Sequence, residues 1–110
     1  MSSVLFSGSL ALAQELIRHK SVTPDGASCL ETIAGWLTTL GFQCERLRFG
    51  DVENLYARRG TAAPNFCFAG HVDVVPEGDS AAWTHNPYAG VMEQGVLWGR
   101  GAADMKSAIA

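Results

Sequence analysis

The sequence predicts an α/β layered unit, and three observations support that expectation. Two stretches near the amino end place apolar residues at helical spacing, several later stretches are rich in strand-forming residues, and the final residues turn helical again. Pattern alone leaves the order and direction of the strands open.

From about Ser7 to His19, Leu10, Ala13, Leu16 and Ile17 fall on one face, with Gln14, Glu15 and Arg18 on the other, which predicts an amphipathic helix. SVTPDG ends it, because Pro24 disfavours helix at Thr23 and Asp-Gly suits a turn, while Asp25 could cap the next helix. That second helix is predicted from about Ala27 to Leu40, with Leu30, Ile33, Ala34, Leu37 and Leu40 as its buried stripe. Gly41 then stands where a left-handed helix terminus favours glycine. Phe42 to Phe49 and Asn54 to Arg58 read as strands separated by GDVE. The nearly all-apolar run Asn65 to Ala69 is the strongest strand and is expected to be central and buried on both faces. After a polar loop, Gly90 to Glu93 and Val96 to Trp98 flank a Gln94-Gly95 turn and predict a small hairpin.

A chain of 110 residues with 47% hydrophobic content can bury one core, and a net charge of −3 excludes the strongly basic footprint of nucleic-acid binding. No apolar run approaches the roughly 18 residues a membrane helix needs, and MSSVLFSGSL lacks the features of a signal peptide. The expectation is a cytoplasmic protein that engages neither membrane nor nucleic acid. Cys29, Cys44 and Cys67 are odd in number and widely spaced in apolar contexts, which predicts buried free thiols. No repeat or low-complexity tract marks an internal boundary, and DMKSAIA begins a helix that stops without a terminating signal, as if the chain continued.

Ligands of open α/β sheets gather beyond the carboxyl ends of the strands, where Gly70, His71 and Asp73 fall. Extended geometry through His71, Val72 and Asp73 would put the imidazole and the carboxylate on one side and Val72 on the other. Asp73 could then fix the His71 tautomer and leave the second ring nitrogen free for a metal. An HxD tripeptide is common, however, and by itself reads mostly as a His and an Asp in a surface loop. In GRGAADMK, Asp104 reads either as the N-cap of a C-terminal helix, with Lys106 solvated, or as a metal ligand. A phosphate cradle is excluded, since the GxxxxGK[ST] order is missing and an aspartate at the helix start repels phosphate.

FAGHVDVVP, the Trp83 and Pro87-Tyr88 of WTHNPY, and GRGAADMK, together with LIRHKSVTPDG, LGF and ENLYAR, resemble the M20 family of dinuclear-zinc metallopeptidases and amidohydrolases over nearly the whole chain. The resemblance implies a three-layer α/β/α zinc-peptidase-like catalytic domain with a mixed sheet flanked by helices. Residues 1–110 would be its truncated N-terminal portion, and the rest of that domain and a dimerisation domain would be absent. It implies two zinc ions per site, replaceable by cobalt, with His71 binding one zinc, Asp104 bridging both and Asp73 acting as the catalytic residue that orients His71. An unusual cis peptide from Asp104 to Met105 belongs to the same pattern.

The implied reaction is hydrolysis of the amide in N-succinyl-L,L-2,6-diaminoheptanedioate to succinate and L,L-diaminopimelate, on the route to lysine and cell-wall precursor, by a homodimer acting on a small-molecule substrate. Acetylornithine deacetylase and aminoacylase are alternatives within the family, and a non-catalytic binding module is the alternative outside it. The general base, part of a Glu-Glu pair, and the remaining zinc ligands would lie beyond Ala110. The 110 residues alone are therefore expected to be inactive and to bind zinc weakly. Glu77, Asp79 and Glu93 do not match the motif; Glu77 and Asp79 are expected to solvate a loop. His85 is expected to be a loop residue and His19 a favourable contact at a helix C-terminus. Val72 replaces a usual threonine and Ser107 a usual glycine, and neither change removes a ligand.

Overall fold

The computed structural model describes residues 2–110, with side chains from residue 8 onward. Met1, at the head of the stretch that lacks signal-peptide features, lies outside the described residues. The chain forms a small mixed α/β unit: α1 (Ser2–Arg18), α2 (Ala27–Thr39), a hairpin of β1 (Gln43–Phe49) and β2 (Val52–Arg58), a second hairpin of β3 (Met92–Glu93) and β4 (Val96–Leu97), and a helical turn α3 (Ser107–Ile109). No described helix is long and apolar enough to cross a membrane.

Helix α1 buries Leu12, Ala13, Leu16 and Ile17, while Leu10, placed on the same stripe by spacing, stays partly exposed. Helix α2 buries Cys29 and Leu30, with Ile33 packed against them, but its predicted stripe runs out at Leu40, which is exposed. Asp25 does not cap α2: the N-cap is Gly26, with no side-chain hydrogen bond. The far end of α2 follows the sequence closely. Gly41 takes φ +88, its N–H donates to Thr38 O at 3.0 Å, and the Phe42 N–H donates to Leu37 O at 3.0 Å, the paired bonds of a Schellman terminus.

The chain then enters an antiparallel hairpin whose register runs from Gln43 opposite Arg58 to Phe49 opposite Val52. Gly50 and Asp51 suffice for the turn, so β2 starts at Val52, two residues before the predicted Asn54. Gln94 and Gly95, at φ 50 and 77, make the turn of the second hairpin, matching the primed geometry that two-residue hairpins prefer.

The Asn65 to Ala69 run is a clear departure from expectation. It forms no strand and is exposed throughout, with Phe66 and Phe68 at 81% and 90% exposure and their rings edge to face at 5.0 Å. Strand propensity requires a ladder partner, and β1 and β2 satisfy each other; no described residue pairs with 65–69. Cys67 lies in this run and is exposed, against the expectation of buried thiols, whereas Cys29 is buried and Cys44 intermediate. Parallel pairing occurs a few residues later, as a single bridge between Val22 and Val74. The described residues thus hold two small antiparallel sheets and one isolated parallel bridge, not a continuous mixed sheet between helical layers. Leu12, Leu16, Cys29, Leu30 and Val72 form the core, with Leu55 and Ile109 packed at its margin.

Candidate functional site

The first wall of the site is the extended segment 71–74. Val74 N–H donates to Ser21 O at 2.9 Å, Thr23 N–H donates to Val74 O at 3.0 Å, and the buried Ser21 hydroxyl donates to Val72 O at 2.7 Å. Val72 and Val74 are buried on the core side at 9% and 4% exposure. Strand alternation then turns His71 and Asp73 outward together, as their spacing in the sequence predicts.

The second wall is the loop and kinked turn 99–106. Gly101 sits at φ +85, and a Cβ there would stand 2.6 Å from Val74 Cγ1, so the two walls meet where only glycine fits. Asp104 and Met105 have non-helical torsions inside the turn Ala102–Lys106, and the peptide between them is cis, as the resemblance implies. Asp104 makes no N-cap bond; the capping alternative is not realised.

Lys106, expected in solvent, is fully buried. Its Nζ donates to Leu16 O at 2.7 Å and His19 O at 2.9 Å, placing a cation on the carbonyl end of α1. Burial pushes the Lys106 ammonium below its ordinary pKa, and nearby Cys29 opposes that shift. His19 therefore contributes its carbonyl to this tie, while its ring meets the Thr32 hydroxyl at 3.3 Å.

The two walls bring His71 and Asp104 together across 33 residues of sequence, with His71 Nε2 at 3.0 Å from Asp104 Oδ1. On the other side of the ring, Nδ1 lies 3.1 Å from the Asp73 main-chain oxygen and 3.4 Å from its Oδ1. Asp73 thus holds His71 chiefly through its carbonyl, whereas the sequence pattern points to the carboxylate for that role. The Asp73 carbonyl contact raises the His71 pKa above its ordinary value; slight desolvation works against it, and the Asp104 and Asp73 carboxylates add to the rise. Asp104 is 86% exposed, so its carboxylate remains open to a further ligand.

His71, Asp73 and Asp104 line a cleft of about 220 Å³ together with Arg100 and the backbone of the two walls. The donor set of one imidazole and one carboxylate fits part of a zinc shell: two ligands on a tetrahedral zinc with bonds of about 2.0–2.1 Å stand about 3.3 Å apart, close to the separation of Nε2 and Oδ1. Among the described residues no third His, Cys, Asp or Glu joins them in a group of metal-binding size.

Glu77 does more than solvate its loop. Its carboxylate accepts from the Tyr88 hydroxyl at 2.8 Å, it lies 3.9 Å from Lys20 Nζ, and its carbonyl accepts from Trp83 Nε1 at 3.0 Å. Its own backbone N–H, then the Tyr88 hydroxyl, hold the Glu77 pKa below the ordinary value, while burial and then Glu77 push Tyr88 up. Asp79 caps the short turn Ser80–Ala82 through the Ala81 N–H at 3.0 Å. His85 pairs with Glu93 and sets its ring edge to face on Trp98 at 5.0 Å, tying the loop to the β3–β4 hairpin and standing apart from the cleft residues. Arg100, Lys106 and Ser21 are the residues that sequence reasoning missed; only the basic residue between two glycines in GRG offered a signal for Arg100.

Comparison with known proteins places these residues in context. Residues 67–110 match the signature of peptidase family M20/M25/M40. The chain is 63% identical over 99 residues to a succinyl-diaminopimelate desuccinylase of Caulobacter vibrioides (strain NA1000 / CB15N), covering 90% of this chain and 26% of that protein. It is 60% identical over 102 residues to the enzyme of that name from Caulobacter sp. (strain K31), covering 93% of this chain and 26% of the relative. With its counterpart from Alkalilimnicola ehrlichii (strain ATCC BAA-1101 / DSM 17681 / MLHE-1) the identity is 57% over 104 residues, covering 94% of this chain and 28% of the relative. The chain thus spans about a quarter of the length of the curated relatives it matches.

Proposed function

We propose, from the match of residues 67–110 to peptidase family M20/M25/M40, that the chain is the N-terminal part of the catalytic domain of a zinc-dependent amidohydrolase. The whole protein hydrolyses N-succinyl-L,L-2,6-diaminoheptanedioate to succinate and L,L-diaminopimelate. The observation that carries this reading is the convergence of His71 Nε2 and Asp104 Oδ1 at 3.0 Å on the wall of a cleft. The identity to proteins named succinyl-diaminopimelate desuccinylase supports the choice of substrate.

In this reading His71, through Nε2, and Asp104, whose carboxylate is largely exposed, would hold the zinc. Bound zinc supplies Lewis acidity toward the amide carbonyl and lowers the pKa of the attacking water. Asp73 would accept the Nδ1 proton of His71 through its carbonyl, fixing the tautomer in which Nε2 is the nitrogen able to bind a metal. Val72 and Val74 lock that orientation from the core side. Among the described residues Asp73 and Asp104 are the carboxylates of the cleft, and this reading assigns the general base and the remaining ligands to a part of the protein beyond these 110 residues. The three-layer α/β/α domain, the homodimer and the cytoplasmic location are parts of the same proposal.

The test is an assay of the full-length protein with zinc on succinylated diaminopimelate and on acetylornithine. Turnover of the first, abolished in Asp104→Ala, is the expected result. Turnover of acetylornithine alone would move the protein to a different substrate within the family, and an active Asp104→Ala would remove the metal role.

A further inference from the structure

We propose that Arg100 reads a carboxylate of the substrate inside the cleft that His71 and Asp104 line, a specificity role that rests on the amidohydrolase reading above.

Arg100 is held in place from several sides. Its N–H donates to Pro87 O at 2.8 Å, and its guanidinium lies over the Trp83 ring at 5.3 Å. A Cβ on the preceding Gly99 would meet Ile17 Cγ2 at 2.6 Å, so the backbone there is packed directly on α1. A guanidinium over an aromatic face is attracted by its quadrupole, and its fork of donors matches a carboxylate in two parallel hydrogen bonds.

What Arg100 lacks is an acceptor. Its Nε is buried without a hydrogen-bond partner, and no ion pair to it occurs among the described residues. Four other arginines have partners: Arg46 and Arg48 reach Glu53 at 2.9 and 3.5 Å, and Arg18 and Arg58 donate to main-chain carbonyls. Glu77 feels the Arg100 charge, which helps lower its pKa, but makes no ion pair with it and is engaged by Tyr88 and Lys20. Asp73 and Asp104 share the cleft, but both are turned to His71. A buried donor without an acceptor is unfavourable, and Arg100 lines the cleft of the proposed reaction site, where a substrate carboxylate could engage its guanidinium. A substrate with carboxylates at both ends supplies that acceptor.

Two sources share this chemistry, the succinyl carboxylate and the carboxylates of the diaminopimelate moiety, and substrate analogues separate them. In the full-length zinc-loaded protein, Arg100→Ala is expected to raise KM for the succinylated substrate by about 10-fold or more, with a smaller effect on kcat. Arg100→Lys should restore only part, because an ammonium lacks the fork. If Arg100 reads the succinyl end, the loss shrinks to less than about 3-fold with the N-butanoyl analogue. If it reads the other end, the loss shrinks with the analogue whose diaminopimelate carboxylates are amidated. Either pattern supports the proposal, and equal loss on all three substrates, or no loss on any, overturns it.

Calorimetry with succinate and with L,L-diaminopimelate keeps this test separate from the proposed reaction. A wild-type protein without amidase activity that still binds one acid about 10-fold more tightly than Arg100→Ala retains the carboxylate role while the hydrolase reading fails. Identical binding of both acids by the two proteins overturns the proposal.

Discussion

Residues 71–74 are tied to the molecule by main-chain hydrogen bonds to Ser21 and Thr23, whereas residues 99–106 have a main-chain bond outward, from Arg100 to Pro87, and otherwise depend on one buried ammonium and on glycines packed against α1 and Val74. The first wall distributes its attachment over several peptide groups and two valines, so no single side chain decides it. The second concentrates it in Lys106, whose two acceptors lie 90 and 87 residues away, and in Gly101, whose backbone excludes other residues. His71 and Asp104 meet only while both attachments hold, and the concentrated one is the more fragile.

Lys106→Ala is the severest challenge to that comparison. It leaves the carbonyls of Leu16 and His19 without their donor and opens a cavity, with an expected stability loss of about 3 kcal/mol in equilibrium urea unfolding. Gly101→Ala should cost about 2 kcal/mol, because it forces a positive φ on alanine and a clash with Val74. Ser21→Ala tests the opposite wall. It removes the hydroxyl bond to Val72 O but leaves both main-chain bonds to Val74, and a loss of about 1 kcal/mol is expected. A Ser21 loss equal to that of Lys106 would erase the distinction between the walls.

The smallest effect concerns the loop beside them. Because Glu77 titrates below its ordinary 4.5 when folded, its contribution is complete above that value and fades as pH falls through the lower folded one. In thermal melts, Glu77→Gln should flatten this acid-side decline slightly, and an unchanged decline would mean that Tyr88 and Lys20 do not depend on the carboxylate charge.

Much of this was legible in the sequence where the cause is local. The period of Leu12, Ala13, Leu16 and Ile17 marks α1, Gly41 marks the end of α2, and Gln94-Gly95 marks the second hairpin, because each depends on neighbours within a few residues. Asn65 to Ala69 has equally strong local preference, yet it lacks a strand to pair with, and a partner cannot be read from the run itself. In the candidate site, alternation alone foretold that His71 and Asp73 would face the same way. Asp104 stayed divided between cap and ligand in the sequence; the fold removes the cap, and the ligand role rests on the motif resemblance and the proposal. Lys106 left no mark, since a lysine bound for solvent and one bound for distant carbonyls look alike in a one-dimensional pattern. Arg100 was hidden for the same reason: its missing acceptor is a property of three-dimensional surroundings.

The bond from Lys106 to the end of α1 also has a consequence in time. A ribosome makes the helix first and its closing cation last, so the Leu16 and His19 carbonyls must remain hydrated while more than eighty intervening residues are synthesised. The amino-terminal helix can coil early, but the cleft can take its final shape only once residue 106 has left the exit tunnel. A nascent chain arrested shortly before that point should expose α1 to protease, and one arrested well beyond it should protect the helix.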